Sequence, residues 1–392
     1  MKYVDEFRDG ELAKKLAQDI KNAANPNRHY HLMEFCGGHT HAIFRYGLPG
    51  LLPSNVELIH GPGCPVCVLP MARLDMAMAL AKSENVILCT YGDMLRVPGS
   101  GRTSLLKIKA QGCDVRMLYS PADALLIAQQ NPDKEVVFFA IGFETTTPPT
   151  AVVIQQAQKL GLKNFSVFCN HVLTPAAMHA ILATRDAEEP LKLDGFIGPA
   201  HVSTLIGSKP YEIFPKQYGT PVVIAGFEPL DVLQAILMLI KQLNAGKSEI
   251  ENEFTRAVTV EGNQKAKSIT DDVFELRDTF EWRGLGFVEK SALKICEKYA
   301  VFDAENKFQE IFTAYTESMK SVPKDNKACE CPSILRGVKK PNDCKLFDNP
   351  CTPDNPLGSC MVSSEGACAA YYQYGRFLNS SANVIDAVEV NG

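Results

Sequence analysis

The sequence predicts an α/β protein: two similar domains with parallel sheets flanked by helices, followed by a C-terminal cysteine-rich iron-sulfur domain. Three observations predict it. From Arg28 to about Asn244, short apolar, β-branched runs alternate with longer segments of helical periodicity, the pattern of βαβ units. After Gly246 that alternation fades into polar helical segments and a β-rich stretch near 273–288. From Cys329 onward the chain is rich in Cys, Pro, Gly and Asn, a composition suited to a loop-wrapped metal site rather than an independent hydrophobic core.

Taken in order, strands are expected at 29–35, 56–60, 86–90 and 114–119, then at 136–141, 165–170, 195–197 and 222–225. Helical spacing marks 71–82, 122–130, 149–160, 175–184 and 230–243. Two groups of four strands fit two modest sheets better than one very wide one. The expected domains are therefore 1–132, 133–245 and 246–392.

The 392 residues suffice for two or three domains, and 46% hydrophobic with 22% charged residues is ordinary for a globular chain. A net charge of -5 gives no overall attraction to nucleic acid. The longest apolar stretch, 232–240, is broken by Gln234 and is far shorter than a membrane helix needs. The first twenty residues lack an export signal. A cytoplasmic location follows, where thiols stay reduced, so thirteen cysteines point to metal or redox chemistry.

Ligands of parallel sheets collect at the carboxyl ends of strands, and three chemically rich segments fall there. They are Glu34-Phe35-Cys36-Gly37-Gly38-His39-Thr40-His41, Gly61-Pro62-Gly63-Cys64-Pro65-Val66-Cys67 and Gly142-Phe143-Glu144-Thr145-Thr146-Thr147-Pro148. Cys36, Cys64 and Cys67 read as exposed-loop cysteines whose thiol pKa is lowered by a helix N-terminus and nearby cations, making thiolates for nucleophilic or metal chemistry. Cys64 and Cys67 also fit a simple thioredoxin-type redox motif. His39 and His41 either orient the turn or act directly. Lone histidines such as His171 and His201 are usually structural. Glu144 is a candidate proton acceptor or anchor, while Thr146 and Thr147 read as helix caps. Gly61-Pro62-Gly63 lacks the Gly-Lys-Ser/Thr ending of a phosphate loop.

Six thiols crowd the tail: Cys329, Cys331, Cys344, Cys351, Cys360 and Cys368. Four suit a [4Fe-4S] cluster and two remain as a dithiol that could take electrons from it. A structural zinc site is the competing reading, disfavoured because paired C-x-x-C knuckles are missing. Cys89, Cys113, Cys169 and Cys296 sit in or beside apolar segments and carry no assigned chemistry.

Together with His60-Gly61-Pro62-Gly63-Cys64 and the tail Gly358-Ser359-Cys360-Met361 through Gly366-Ala367-Cys368, these motifs resemble the HypD family of [NiFe]-hydrogenase maturation factors, over nearly the whole chain. The resemblance implies a scaffold, shared with the chaperone HypC, on which iron carrying CN and CO ligands is assembled into the Fe(CN)2CO unit. HypE docks transiently as cyanide donor, and the hydrogenase large subunit is reached indirectly through HypC; neither nucleic acid nor membrane is a partner. By the same resemblance Cys36 contacts iron, Cys64 and Cys67 line the same cleft and His39 sits beside it; with Glu144 these are the candidate catalytic residues, and the three cysteines are the candidate metal ligands. The cluster region is similar to that of ferredoxin-thioredoxin reductase. Carried onto this tail, Cys329, Cys344, Cys351 and Cys368 hold the cluster, with Cys331 and Cys360 as the redox pair. A stand-alone iron-sulfur thiol-disulfide oxidoreductase is the alternative.

Overall fold

All eight expected strands form in the computed structural model, which describes residues 4–183, 191–318 and 328–375. In chain order they are β1 (Tyr30–Glu34), β2 (Val56–His60), β3 (Val86–Tyr91), β4 (Val115–Leu118), β5 (Glu135–Gly142), β6 (Phe165–His171), β7 (Gly195–Gly198) and β8 (Val222–Ile224). Most are rich in β-branched or aromatic residues, which fit a pleated buried surface. A ninth strand, β9 (Ile250–Asn252), was not legible because it is short, polar and at a sheet edge.

The strands do not divide sequentially. One parallel sheet runs β2-β1-β7-β8-β9 and the other β4-β3-β5-β6. The boundary expected between 132 and 133 thus falls between two strands of the same sheet. β3 and β4 share their apolar pattern with β1 and β2, so composition could not say that the chain leaves the first sheet after β2 and returns at β7. Register is set by pairs such as Met33 with Phe196 and Phe138 with Val167.

Period-two alternation gives each sheet two buried faces. Met33 and Phe139 point into one shared core between the sheets, which also holds Phe168 and Phe196. Leu32 faces helices Gly10–Ala23 and Pro229–Asn244, whereas Phe138 faces helices Ala122–Gln130 and Thr147–Leu160. Burying one such phenylalanine contributes roughly 1.5–3 kcal/mol, so the shared core fixes one sheet against the other. Cys89 and Cys169 are buried in the outer core of the second sheet, where burial pushes their thiols up to about 12 and about 11.

The helices expected at 71–82, 149–160 and 230–243 form as Met71–Ala81, Thr147–Leu160 and Pro229–Asn244. The one expected at 175–184 forms as Thr174–Ala183, and Thr184 lies outside the described residues. Beyond Gly262 come helix Gln264–Val273 and four short strands, β10 (Phe274–Leu276), β11 (Thr279–Trp282), β12 (Gly286–Glu289) and β13 (Leu293–Ile295). β10 pairs β13 and β11 pairs β12, both antiparallel. Glu305 moors this region by taking ion pairs from Arg73 and Arg277, whose charges overcome burial and hold its carboxyl down at about 2. Among the described residues no helix is long and apolar enough to cross a membrane.

Candidate functional site

Cys36 ends the β1 loop and is the N-cap of helix Gly37–Arg45, with no side-chain capping bond of its own. The segment expected as a turn is therefore mostly helix. Glu34, fully buried at the end of β1, accepts bonds from the Cys36 N–H (3.0 Å), His60 Nδ1 (2.8 Å) and the Thr40 hydroxyl. Three donors offset the desolvation of that carboxylate. The second loop locks onto the first, since Gly37 N–H donates to Gly63 O at 3.1 Å. A Cβ on Gly63 would sit 2.5 Å from Cys36 N, so only glycine permits this approach.

One histidine stands against the thiol, and a second lies three residues along its helix. His201, in the first turn of helix Ala200–Ile206 after β7, places Nδ1 3.9 Å from Cys36 Sγ and tilts its ring against Phe227 at 4.2 Å between centroids. His39 is fully buried and its Nε2–H donates to Ala225 O (3.1 Å) and Gly226 O (2.9 Å). That tautomer leaves Nδ1 as an acceptor with no hydrogen-bond partner among the described residues. Burial lowers both imidazole pKa values, favouring the neutral form. His41 packs its ring edge against Tyr374 at 5.2 Å.

The exposed, low-pKa thiol expected from the sequence is not what forms. Cys36 is 6% exposed, Cys64 3% and Cys67 0%. Burial pushes the Cys36 thiol up to about 12, and its nearest charges are the carboxylates of Glu365 and Glu34 rather than cations. The helix N-terminal contribution is present, as a bond from Gly38, but is outweighed. The C-terminal segment closes this wall: Glu365 abuts Gly37, and Phe44 meets Tyr371 edge-on at 5.1 Å.

Cys64 and Cys67 are joined as a disulfide, as are Cys331 and Cys360. In that state the first pair offers no thiolate to a metal; reduction would restore it. Ser359 lies between the two disulfides, fully buried. Its hydroxyl donates to Cys67 O at 3.0 Å and lies 3.7 Å from Cys331 Sγ. The other four tail cysteines, Cys329, Cys344, Cys351 and Cys368, are free and line one pocket with Ile334, Phe347 and Met361. Burial raises the Cys329 thiol to about 11 and the Cys351 and Cys368 thiols as well, and neighbouring Cys344 adds to each rise. No three His, Cys, Asp or Glu side chains among the described residues converge tightly enough for a single metal ion. Arg283, buried on the β11–β12 turn, donates through Nε to Leu69 O at 3.2 Å and lowers the Cys329 thiol against that burial.

Glu144 lies apart from Cys36 in sequence, yet both act electrostatically on buried Tyr211. Its carboxylate accepts Thr174 N–H (2.8 Å) and the Thr174 hydroxyl (3.0 Å), capping helix Thr174–Ala183 from a distance. Thr146 and Thr147 do not cap as expected: their hydroxyls donate to the carbonyls of Ile141 and Phe143. Burial raises the Glu144 carboxyl from 4.5 to about 7. The folded chain therefore keeps a proton that the unfolded chain has lost, so this group's contribution is fully present below about pH 4.5 and lost as pH rises through about 7. For Glu144→Gln, the stability difference from the parent is expected to move in the variant's favour by about 3 kcal/mol between pH 4.5 and 8. Urea unfolding at both pH values measures it, and a constant difference would refute the shift.

The profile of the HypD family, described as "Hydrogenase formation hypA family", matches residues 11–375. The chain belongs to the HypD family. It is 71% identical to the hydrogenase maturation factor HypD of Azotobacter vinelandii, over 96% of this chain and 97% of that one. It is 70% identical to the hydrogenase expression/formation protein HupD of Azotobacter chroococcum mcd 1, over 98% and 100%. With HypD of Escherichia coli K12 it shares 45% identity, over 95% and 98%. This protein is accordingly a hydrogenase maturation factor of the HypD family.

Several residues at the site were missed or set aside in the sequence. His201 reads as a lone histidine because its neighbour Cys36 is 165 positions away. Glu34 carried a usable signal, an acid closing an apolar strand just before a glycine turn. Ser359 stood inside a tail motif with no role of its own, and Arg283 carried no signal.

Proposed function

We propose that this HypD-family chain is the cytoplasmic scaffold on which iron receives its cyanide and carbonyl ligands, with Cys36 as the thiol that holds the iron. The observation that carries this reading is the setting of Cys36. It is a free, buried thiol against His201, at the N-cap of a helix whose His39 carries an unpartnered Nδ1. Iron is the cargo here, and binding it lets Cys36 ionise despite burial, because a cation offsets the desolvation cost. HypC would supply a second thiolate and close the niche against water, and HypE would deliver cyanide to that complex. The hydrogenase large subunit would receive the product through HypC.

The tail fits a resident [4Fe-4S] cluster by the chemistry of its donors. Two of six thiols are spent in a disulfide, and the remaining four, Cys329, Cys344, Cys351 and Cys368, line one apolar pocket. Burial already raises the Cys329, Cys351 and Cys368 thiols, so their ionising together calls for a compensating cation. When bound, such a cluster supplies electrons singly. The chain's own part is to hold those four sulfurs, to place Cys331 and Cys360 beside them, and to seat the Cys64–Cys67 disulfide within reach through Ser359. Together these make a thiol relay from the tail to the Cys36 niche. Two neighbouring disulfides also favour a second reading, a stand-alone thiol-disulfide oxidoreductase.

Infrared spectroscopy of the complex with HypC, purified without oxygen, separates the two. Cyanide and carbonyl bands are expected; their absence, with disulfide reductase turnover present, would favour the second reading. Iron and acid-labile sulfide analysis tests the cluster in the same sample.

A further inference from the structure

Once one of two neighbouring disulfides is reduced, exchange with the other can run in more than one way, because the attacking sulfur can choose either partner of the opposite pair. Here the two sides of each pair have different surroundings. Ser359 donates its hydroxyl proton to Cys67 O at 3.0 Å, and its own carbonyl oxygen lies 4.0 Å from Cys67 Sγ. The same hydroxyl is 3.7 Å from Cys331 Sγ. One fully buried residue thus touches one cysteine of each disulfide. Cys64 Sγ instead accepts the Cys67 N–H at 3.2 Å, a bond that steadies negative charge on Cys64 when it departs.

We propose that Ser359 is a positioning residue that directs exchange between the two pairs to Cys331 and Cys67, with Cys64 as the leaving sulfur. The proposal rests on the relay reading above. The step starts from the reduced Cys331/Cys360 pair, whose disulfide has first taken up two protons and two electrons, the latter one at a time from an iron-sulfur donor; Cys331 then gives up its thiol proton and its sulfur attacks Cys67 Sγ. The Cys64–Cys67 bond breaks as the Cys67–Cys331 bond forms, and Cys64 leaves with the electron pair and takes up one proton. No net oxidation occurs. In the intact chain Cys360 then attacks Cys331, re-forming their disulfide and releasing Cys67, so that two electrons and two protons have moved from one pair to the other.

The test uses the full chain with its cluster, kept anoxic and carrying Cys360→Ser, so that Cys64, Cys67 and Cys331 share one disulfide. Acid quenching, alkylation of free thiols and peptide mass spectrometry count each linkage. Among chains linked through Cys331, Cys67–Cys331 is expected to exceed Cys64–Cys331 by about tenfold, the worth of roughly one hydrogen bond. Adding Ser359→Ala should bring that ratio to near unity, with iron content and unfolding midpoint unchanged. A general loosening of the fold would slow both linkages without changing their ratio. An unaltered ratio in Ser359→Ala overturns the proposal. So does a ratio favouring Cys64 in the Cys360→Ser chain alone, a result that needs no change at Ser359. If Cys331 links to neither cysteine, the relay itself falls, and this assignment with it.

Discussion

Cys36→Ala is expected to abolish hydrogenase maturation and the diatomic-ligand infrared bands while the visible absorbance of the tail cluster persists. The loss should be complete, since Cys64 and Cys67 are tied to each other and cannot replace the missing thiol in that state. Fold damage should be small. The Cys36 side chain makes no capping bond, and Glu34 holds the residue through its backbone N–H, which alanine retains. Removing one buried sulfur costs about 1 kcal/mol. Hydrogenase activity in a cell lacking the native gene, read beside infrared spectra, checks it; full maturation would exclude Cys36 as the iron contact.

Cys351→Ala should do the reverse, bleaching the cluster while leaving Cys36 in place. Cys351 is 6% exposed, and its sulfur accepts the Leu357 N–H at 3.4 Å. The segment around it is loops and single helical turns, which gain much of their stability from bound metal where they have it. Iron and acid-labile sulfide should fall to background, with the unfolding midpoint lowered by roughly 5 °C or more. Retained iron and colour would show that the quartet is wrongly chosen.

The parallel strands were legible because buried βαβ units write themselves as apolar runs with turn residues between. Sheet membership was not, because no local pattern in 86–90 says that it pairs with 136–141 rather than with 56–60. The loops bearing Cys36, Cys64 and the tail thiols were legible as chemistry, through glycine and proline beside cysteine at strand ends. Their burial was not. Loop composition suggested exposure, whereas Phe227, Glu365 and the Tyr371–Gly375 turn, all remote in sequence, cover helix Gly37–Arg45. The carboxylates that raise the Cys36 pKa also come partly from that remote cover, which is why a depressed pKa was the natural expectation and the wrong one.

The interleaved strand order bears on how the protein is made. β3 to β6 are contiguous and can assemble as soon as they leave the ribosome, but β1, paired with β2 on one edge, must wait on the other for β7, whose approach is marked by the His31–Asp194 bond spanning 163 positions. Such distant pairing is slow to form. A nascent chain therefore displays Cys36 before His201 or Phe227 has been synthesised, and metal delivered then would meet half a niche. On the proposed scaffold reading, loading of cargo would wait for the completed polypeptide, and closure of the five-stranded sheet would be the event that makes the thiol selective.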